Sequence, residues 1–236
     1  NGRWARERGR PRTFGHRQGA RAVQEVIKAC GELGVEVLTL YSFSSENWKR
    51  PPEEVDALMN LCVEYCGKEM ERLREKDIRV RVIGRVHELP ARVREALARL
   101  EAHTAGCAGA TLCLAINYGS RAEIADAARS LAEDAAAGRL DPASIDEGLF
   151  ARRLYAADLP EPDLFIRTGG SHRLSNFLLW QLSYAELYVT DTLWPDFDGE
   201  ALREAIRDFQ RRERRFGGLG PGGVPSAGPT AAGRER

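Results

Sequence analysis

The chain lacks the short motifs that mark the commonest anion- and metal-handling enzymes. It has no Asp-rich DDxxD run, no P-loop GK[ST] and no HExxH. These absences set aside the carboxylate-clustered prenyl and terpene enzymes and the standard nucleotide hydrolases. It also lacks a charge excess, because 35 Lys and Arg balance 35 Asp and Glu, which argues against a general nucleic-acid binder. No stretch approaches the roughly 18 apolar residues of a membrane span, and no signal-peptide pattern is present. Five cysteines are an odd number, and the four histidines form no ligand pattern with the i, i+4 pair Cys62 and Cys66. The cysteines therefore read as reduced core residues rather than a disulfide or zinc framework, and the compartment as cytoplasmic.

What is present is a repeating alternation. Apolar strand-like runs fall at residues 35–41, 78–83, 111–116 and 164–166, with a fifth at 187–189, and helical patterns near 15–32, 54–75, 89–102, 121–136, 145–155 and 198–214 lie between them. This order predicts an α/β fold with a mostly parallel sheet covered on both faces. Ligands in such sheets bind beyond the carboxyl ends of the strands, where the polar segments fall. The stripe Val55, Leu58, Met59, Cys62, Tyr65, Cys66 and Leu73 reads equally as core packing or as the wall of an apolar tunnel. From about Gly217 the composition turns to Gly, Pro, Ala and Ser, so residues 219–236 read as a disordered tail after a domain at 1–218. The formal GxGxxG at Gly218, Gly220 and Gly223 follows no strand and is discarded as a dinucleotide site.

Arginines gather around glycine turns. Residues 1–17 hold six arginines and one acid, Glu7. Within them, Asn1-Gly2-Arg3-Trp4, Arg12 and His16 surround Thr13-Phe14-Gly15-His16, read as a glycine-containing turn entering a helix, which favours a diphosphate. Ser44 to Pro51 follows a strand and offers Asn47, Trp48 and Arg50. The stretch from Arg167 to Glu186 breaks at Gly169-Gly170 and supplies Arg167, Arg173 and Ser175. Guanidinium forks and closely approaching backbone N–H groups at a strand end make an anion site, and a carboxylate nearby suits a metal.

With these residues in view, the chain resembles the cis-prenyltransferases, and among them the bacterial undecaprenyl diphosphate synthases. The matching segments are NGRW (1–4), FGHRQG (14–19), LTLYSFSSENWKRP (38–51), INYGSR (116–121), the run from RTGG to WPDF (167–197) and RRFGG (214–218). The resemblance implies a homodimer of single-domain subunits, each with a mostly parallel six-stranded sheet flanked by helices and a hydrophobic tunnel. It implies that Asn1, Gly2, Arg3, Trp4, Arg12 and His16 bind the allylic diphosphate, with Trp48 and Arg50 on a loop that closes over it. Asn47 would assist ionisation or proton removal. Arg167, Arg173 and Ser175 would hold isopentenyl diphosphate, with Arg215 and Gly217 completing a site across the dimer interface. Glu186 would help bind Mg²⁺.

Three departures from the family pattern stand out. The family motif begins Asp-Gly-Asn-Gly-Arg-Trp, its Asp being the principal magnesium ligand, whereas this chain begins at the Asn. It reads as truncated, with its first strand and Asp upstream. Ser171 stands where relatives commonly carry Glu, which predicts weaker Mg²⁺ affinity. Ala110 stands near the expected tunnel floor in place of a larger residue, which predicts longer products. The expected activity is Z-type elongation of an allylic diphosphate, farnesyl diphosphate first among candidates, to a lipid-carrier precursor such as undecaprenyl diphosphate. The competing expectation is a non-catalytic partner subunit of the same fold. A water-insoluble product admits peripheral contact with the inner membrane face, and no nucleic-acid partner is expected.

Overall fold

The central apolar runs pair through the most continuous of them. In the computed structural model, which describes residues 1–212, β1 (Val37–Ser44), β2 (Arg79–Ile83) and β3 (Thr111–Tyr118) form a parallel sheet in the order β1-β3-β2. β3 is central because Leu112 to Tyr118 are all buried, the signature of a strand covered on both faces. Val37 and Arg79 both register with Thr111. A second parallel pair joins β4 (Leu164–Arg167) to β5 (Glu186–Val189), with Leu164 opposite Glu186 and Arg167 opposite Val189.

The α/β class is as expected, but the described residues carry five strands in two sheets, not six in one. The facing edges of β1 and β4 share no ladder because a cavity separates them, lined by consecutive residues 35–43 and 159–169.

Seven helices among the described residues flank the strands: α1 (Gly2–Glu7), α2 (Arg12–Leu33), α3 (Pro52–Glu75), α4 (Ala91–Thr104), α5 (Ser120–Ala136), α6 (Glu147–Ala151) and α7 (Gly199–Gln210). α2 stops at Gly34, whose φ of 69° lets the chain turn out of the helix. α3 opens with Pro52, whose fixed φ suits a first turn, and Glu53 and Glu54 there favour the positive end of the helix dipole. On one sheet face Val55, Met59, Cys66 and Leu73 of α3 pack with Val93, Leu97 and Leu100 of α4 over Val80, Leu112 and Leu114. On the other, Cys113, Ala115 and Tyr118 meet Phe165, Phe177, Leu178 and Leu182. All five cysteines are free, with Cys30, Cys66 and Cys113 buried. Both readings of the α3 stripe hold: Leu58, Met59, Cys62, Tyr65 and Cys66 line the cavity, while Val55 and Leu73 stay in the core.

Candidate active site

Parallel strands deliver their carboxyl ends to one edge, and three of them do so here: β1 ends before Asn47, β3 at Asn117-Tyr118 and β4 at Arg167. A cavity of about 1070 Å³ opens there, with Asn1, Gly2, Arg3, Arg12, His16, Asn47, Arg50 and Arg167 on its wall beside the apolar side chains of α3 and β3. A smaller hollow of about 580 Å³ adjoins it, lined by Arg3, Arg6, Arg10, Arg12 and Arg50.

One side of this mouth is organised by Glu54, which the sequence reading passed over. Its carboxylate is buried on the first turn of α3 and accepts from Arg12 Nε at 2.9 Å, Arg50 Nη1 at 2.9 Å and His16 Nε2 at 3.2 Å. Its i, i+4 spacing from Arg50 was the one sequence signal available. Burial works against its charge, but the His16 bond and the Arg12 and Arg50 guanidiniums hold its carboxyl below the usual glutamate value. Burial lowers the His16 pKa below that of a free imidazole, with Glu54 pulling the other way, so His16 is neutral at pH 7. α2 starts at Arg12, which places Gly15 and His16 within the helix rather than in a turn. Gly15 serves close packing: a Cβ there would stand 2.2 Å from the Asn1 carbonyl oxygen.

The other side is unbalanced. Arg167 lines the cavity, and its Nε is buried without a hydrogen-bond partner. Burial, Arg173 and Arg3 all disfavour its charge, so three guanidiniums converge on this point with no carboxylate between them. Gly169 and Gly170 adopt φ of 79° and 66°, but their N–H groups donate to Thr192 and Thr190 carbonyls, each at 2.9 Å. The glycines therefore shape the loop and do not present N–H groups to a ligand. A Cβ on Gly169 would lie 2.5 Å from Arg3 Nη2, so the missing side chain is what lets Arg3 reach across. Arg173 and Ser175 sit off the cavity wall, Arg173 exposed and Ser175 with a φ of 54° and its carbonyl facing the Tyr41 hydroxyl at 3.4 Å.

Between the two sides lies a 3₁₀ turn, Ser45–Lys49, closed by a reciprocal cap in which Asn47 Oδ1 accepts from the Ser44 N–H at 3.2 Å. Trp48 is held by a 2.7 Å bond from its Nε1 to Asn117 Oδ1 and an edge-on contact with Phe43. Asn117 is itself buried, with φ of 49°, and donates to the Arg85 carbonyl and Glu88, each at 2.9 Å. Behind it the fully buried Glu123 accepts from the Tyr118 hydroxyl, Tyr155 N–H and Gln181, tying β3 to the segment after Phe177.

Some expected residues lie elsewhere. Trp4 is buried away from the cavity wall, stacked on Phe14 and bonded to Asp196 at 2.6 Å, so it pins α1 to the fold. Glu186 begins β5, at the opposite strand end from Arg167, and its carboxylate accepts from Arg212 at 2.9 Å. No group of three or more His, Cys, Asp or Glu among the described residues is arranged to hold a metal ion. With Glu186 already paired, these residues alone do not build a Mg²⁺ site. Ala110 precedes β3, its carbonyl accepting from Arg79 at 2.9 Å, and is not on the cavity wall. Arg215 and Gly217, and the tail at 219–236, lie outside the described residues.

The family model for undecaprenyl diphosphate synthase, a prenyltransferase, matches residues 1–217. The chain belongs to that family. It is 55% identical over 217 residues to the ditrans,polycis-undecaprenyl-diphosphate synthase ((2E,6E)-farnesyl-diphosphate specific) of Xanthomonas axonopodis pv. citri, covering 92% of this chain and 84% of that one. The synthase of the same name from Escherichia coli K12 is 48% identical, with 94% and 88% covered. Among solved structures, lavandulyl diphosphate synthase from Lavandula x intermedia in complex with dimethylallyl diphosphate superposes with a TM-score of 0.89 at 35% identity, covering 91% of this chain and 93% of that one. This cis-prenyltransferase therefore shares its fold with a solved relative. No helix among its described residues is long and apolar enough to cross a membrane.

Proposed function

We propose that this cis-prenyltransferase extends farnesyl diphosphate by repeated Z-condensation with isopentenyl diphosphate, giving a polyprenyl diphosphate such as undecaprenyl diphosphate. The observation that carries the reading is one cavity with an apolar wall and two cationic sides that meet at Arg3. The allylic diphosphate belongs with Asn1, Gly2, Arg3, Arg12, His16 and Arg50, and isopentenyl diphosphate with Arg167, Arg173 and Ser175. In each cycle the allylic carbon–oxygen bond breaks, a carbon–carbon bond forms to the isopentenyl unit, and a proton leaves that unit.

Arg3 and Arg12 neutralise charge building on the departing diphosphate, where fixed cations in a site shielded from water do most. Asn47 lines the cavity wall, and in this proposal it orients the isopentenyl unit and assists removal of its proton. Its side-chain oxygen caps the turn, which fixes the amide's direction. The growing chain enters past Leu58, Met59 and Cys62, each buried methylene contributing about 0.8 kcal/mol. Magnesium, when bound, would add positive charge against the leaving diphosphate. The unit of function is a homodimer, with Arg215 and Gly217 completing the isopentenyl site across the interface and peripheral contact delivering product to the membrane.

The test is labelled isopentenyl diphosphate with farnesyl diphosphate and Mg²⁺, products sized by mass. Long Z-polyprenyl products are expected from the full-length protein. Absence of product, with diphosphate binding retained, would assign the chain as a non-catalytic partner subunit.

A further inference from the structure

Asn176 stands off the cavity wall, yet three segments around the site meet on it. Its backbone is in the left-handed region, φ 62°, next to Ser175 at 54°. Its carbonyl accepts from the Ser120 N–H at 2.9 Å, and its Oδ1 accepts from the Arg121 N–H at 2.8 Å. Its Nδ2 donates to Glu46 Oε1 at 2.8 Å, across 130 residues of sequence. A Cβ on Gly119 would lie 2.7 Å from Asn176 Nδ2, so the glycine leaves room for the amide. The Leu179 N–H donates to Ser120 Oγ at 2.9 Å and closes the same joint from beyond.

Two of these segments carry groups the proposed reaction needs at a fixed separation. Glu46 immediately precedes Asn47, and Asn176 immediately follows Ser175. The amide–carboxylate bond joins the Asn47 turn to the Arg173–Ser175 loop in one step. Glu46 is suited to accept it. Although burial works against its charge, hydrogen bonds from Asn176, its own N–H, Ser44 and Ser45 keep its carboxyl below the ordinary glutamate value.

We infer that Asn176 is a positioning residue, which through its bond to Glu46 sets the distance between the isopentenyl-diphosphate grip and Asn47. The inference rests on the proposed condensation. Its cost structure follows from reaction geometry: an offset of about 1 Å between held reactants is worth roughly 100-fold in rate. Losing this bond therefore acts on turnover more than on capture of the allylic substrate, whose diphosphate is held by the separate Glu54 cluster.

The test is a reciprocal swap in the active, full-length protein. Asn176→Asp keeps the acceptor for Arg121 but sets a carboxylate against Glu46. It is expected to lower kcat by about 10- to 100-fold, with KM for farnesyl diphosphate changed less than about threefold. Adding Glu46→Gln returns a donor to the joint with its direction reversed, and is expected to restore at least about tenfold of the lost kcat. Unchanged kcat in Asn176→Asp, a loss the second substitution does not recover, or a loss seen only as raised KM for both substrates would each overturn the role. Wild-type turnover in the same assay separates the two levels. A silent wild type brings down the condensation and this role with it, whereas an active wild type with indifferent variants brings down this role alone.

Discussion

The two sides of the site handle positive charge in opposite ways. Around Glu54, Arg12, Arg50 and His16 converge on a carboxylate that the protein supplies, so part of the positive charge is balanced and the cluster is ordered before any substrate arrives. Around Arg167, the guanidiniums of Arg3 and Arg173 face it with no internal anion, and one buried N–H group is left without a partner. The first arrangement keeps its geometry without ligand and must give up ion pairs to bind one. The second carries repulsion and an unmet donor that an arriving diphosphate would relieve. Such an imbalance is tolerated at a functional site and costs stability elsewhere in a fold. Under the proposed condensation, the first side would hold the diphosphate that departs in each cycle, and the second would take up a fresh isopentenyl unit.

The sharpest way to break the contrast is to remove one charge from each side. Arg167→Met should cut kcat/KM for isopentenyl diphosphate by about 100-fold or more, since a charged donor aimed at substrate is lost. The same change should leave the ligand-free protein as stable, or more stable by about 1 kcal/mol, because the unpartnered N–H goes with it. Glu54→Gln should do the reverse, destabilising the ligand-free protein by about 1–2 kcal/mol as Arg50 and His16 lose their buried partner. That figure already allows for Arg12, whose exposed side chain contributes little. Denaturant melts of both variants without ligand check this, and a destabilised Arg167→Met would erase the distinction.

Protonation sharpens it further, by a smaller amount. The folded-state pKa of His16 is depressed, mainly by burial. The unfolded chain therefore binds the proton more tightly, and this contribution to stability is complete above about pH 6.5 and declines as pH falls through that value. A diphosphate beside the imidazole pulls its pKa back up, so allylic binding takes up protons and tightens as pH falls from about 7.5 to 6. Calorimetric titration in buffers of different ionisation enthalpy should show that uptake in the wild type and its loss in His16→Asn. Isopentenyl diphosphate, assigned to Arg167, Arg173 and Ser175, should show no proton uptake that His16→Asn removes.

Much of this was legible in the sequence, and what was not has physical reasons. β3 announced itself as an unbroken apolar run because it is covered on both faces, and β2 by strict alternation because it is an edge. α1 was missed because its six residues include two arginines and no apolar period longer than Trp4-Ala5. Gly15 looked like a turn because glycine marks both turns and close packing, and only Asn1 lying against it tells them apart. Arg167 and His16 were found because arginine and histidine carry a recognisable chemistry. Their organisers were less legible: Glu54 was passed over, and Asn117 and Asn176 stood in polar segments without a role, because they act through partners 29 to 130 residues away or, for Glu54 with Arg50, through a spacing shared with ordinary helix-surface pairs. Long-range partners leave no local pattern to read.

Product length tests the apolar wall on the same footing, and here the smallest effect is the informative one. The sequence reading places a length determinant at Ala110, yet that residue sits at the start of β3 and off the cavity wall, whereas Cys62 lies on it from α3. A bulky side chain shortens a product only if it enters the path of the chain. Cys62→Phe should therefore shift products toward shorter polyprenyl diphosphates, measured by mass, while Ala110→Leu leaves the distribution unchanged. Ala110 is half-buried near the strand's amino end, so the leucine also has room to turn outward at a cost below about 1 kcal/mol. Shorter products from Ala110→Leu would mean that the growing chain runs the full length of β3, past the end of the cavity seen without ligand. The wall from α3 would then be an entrance, and the length limit would lie at the amino end of the sheet.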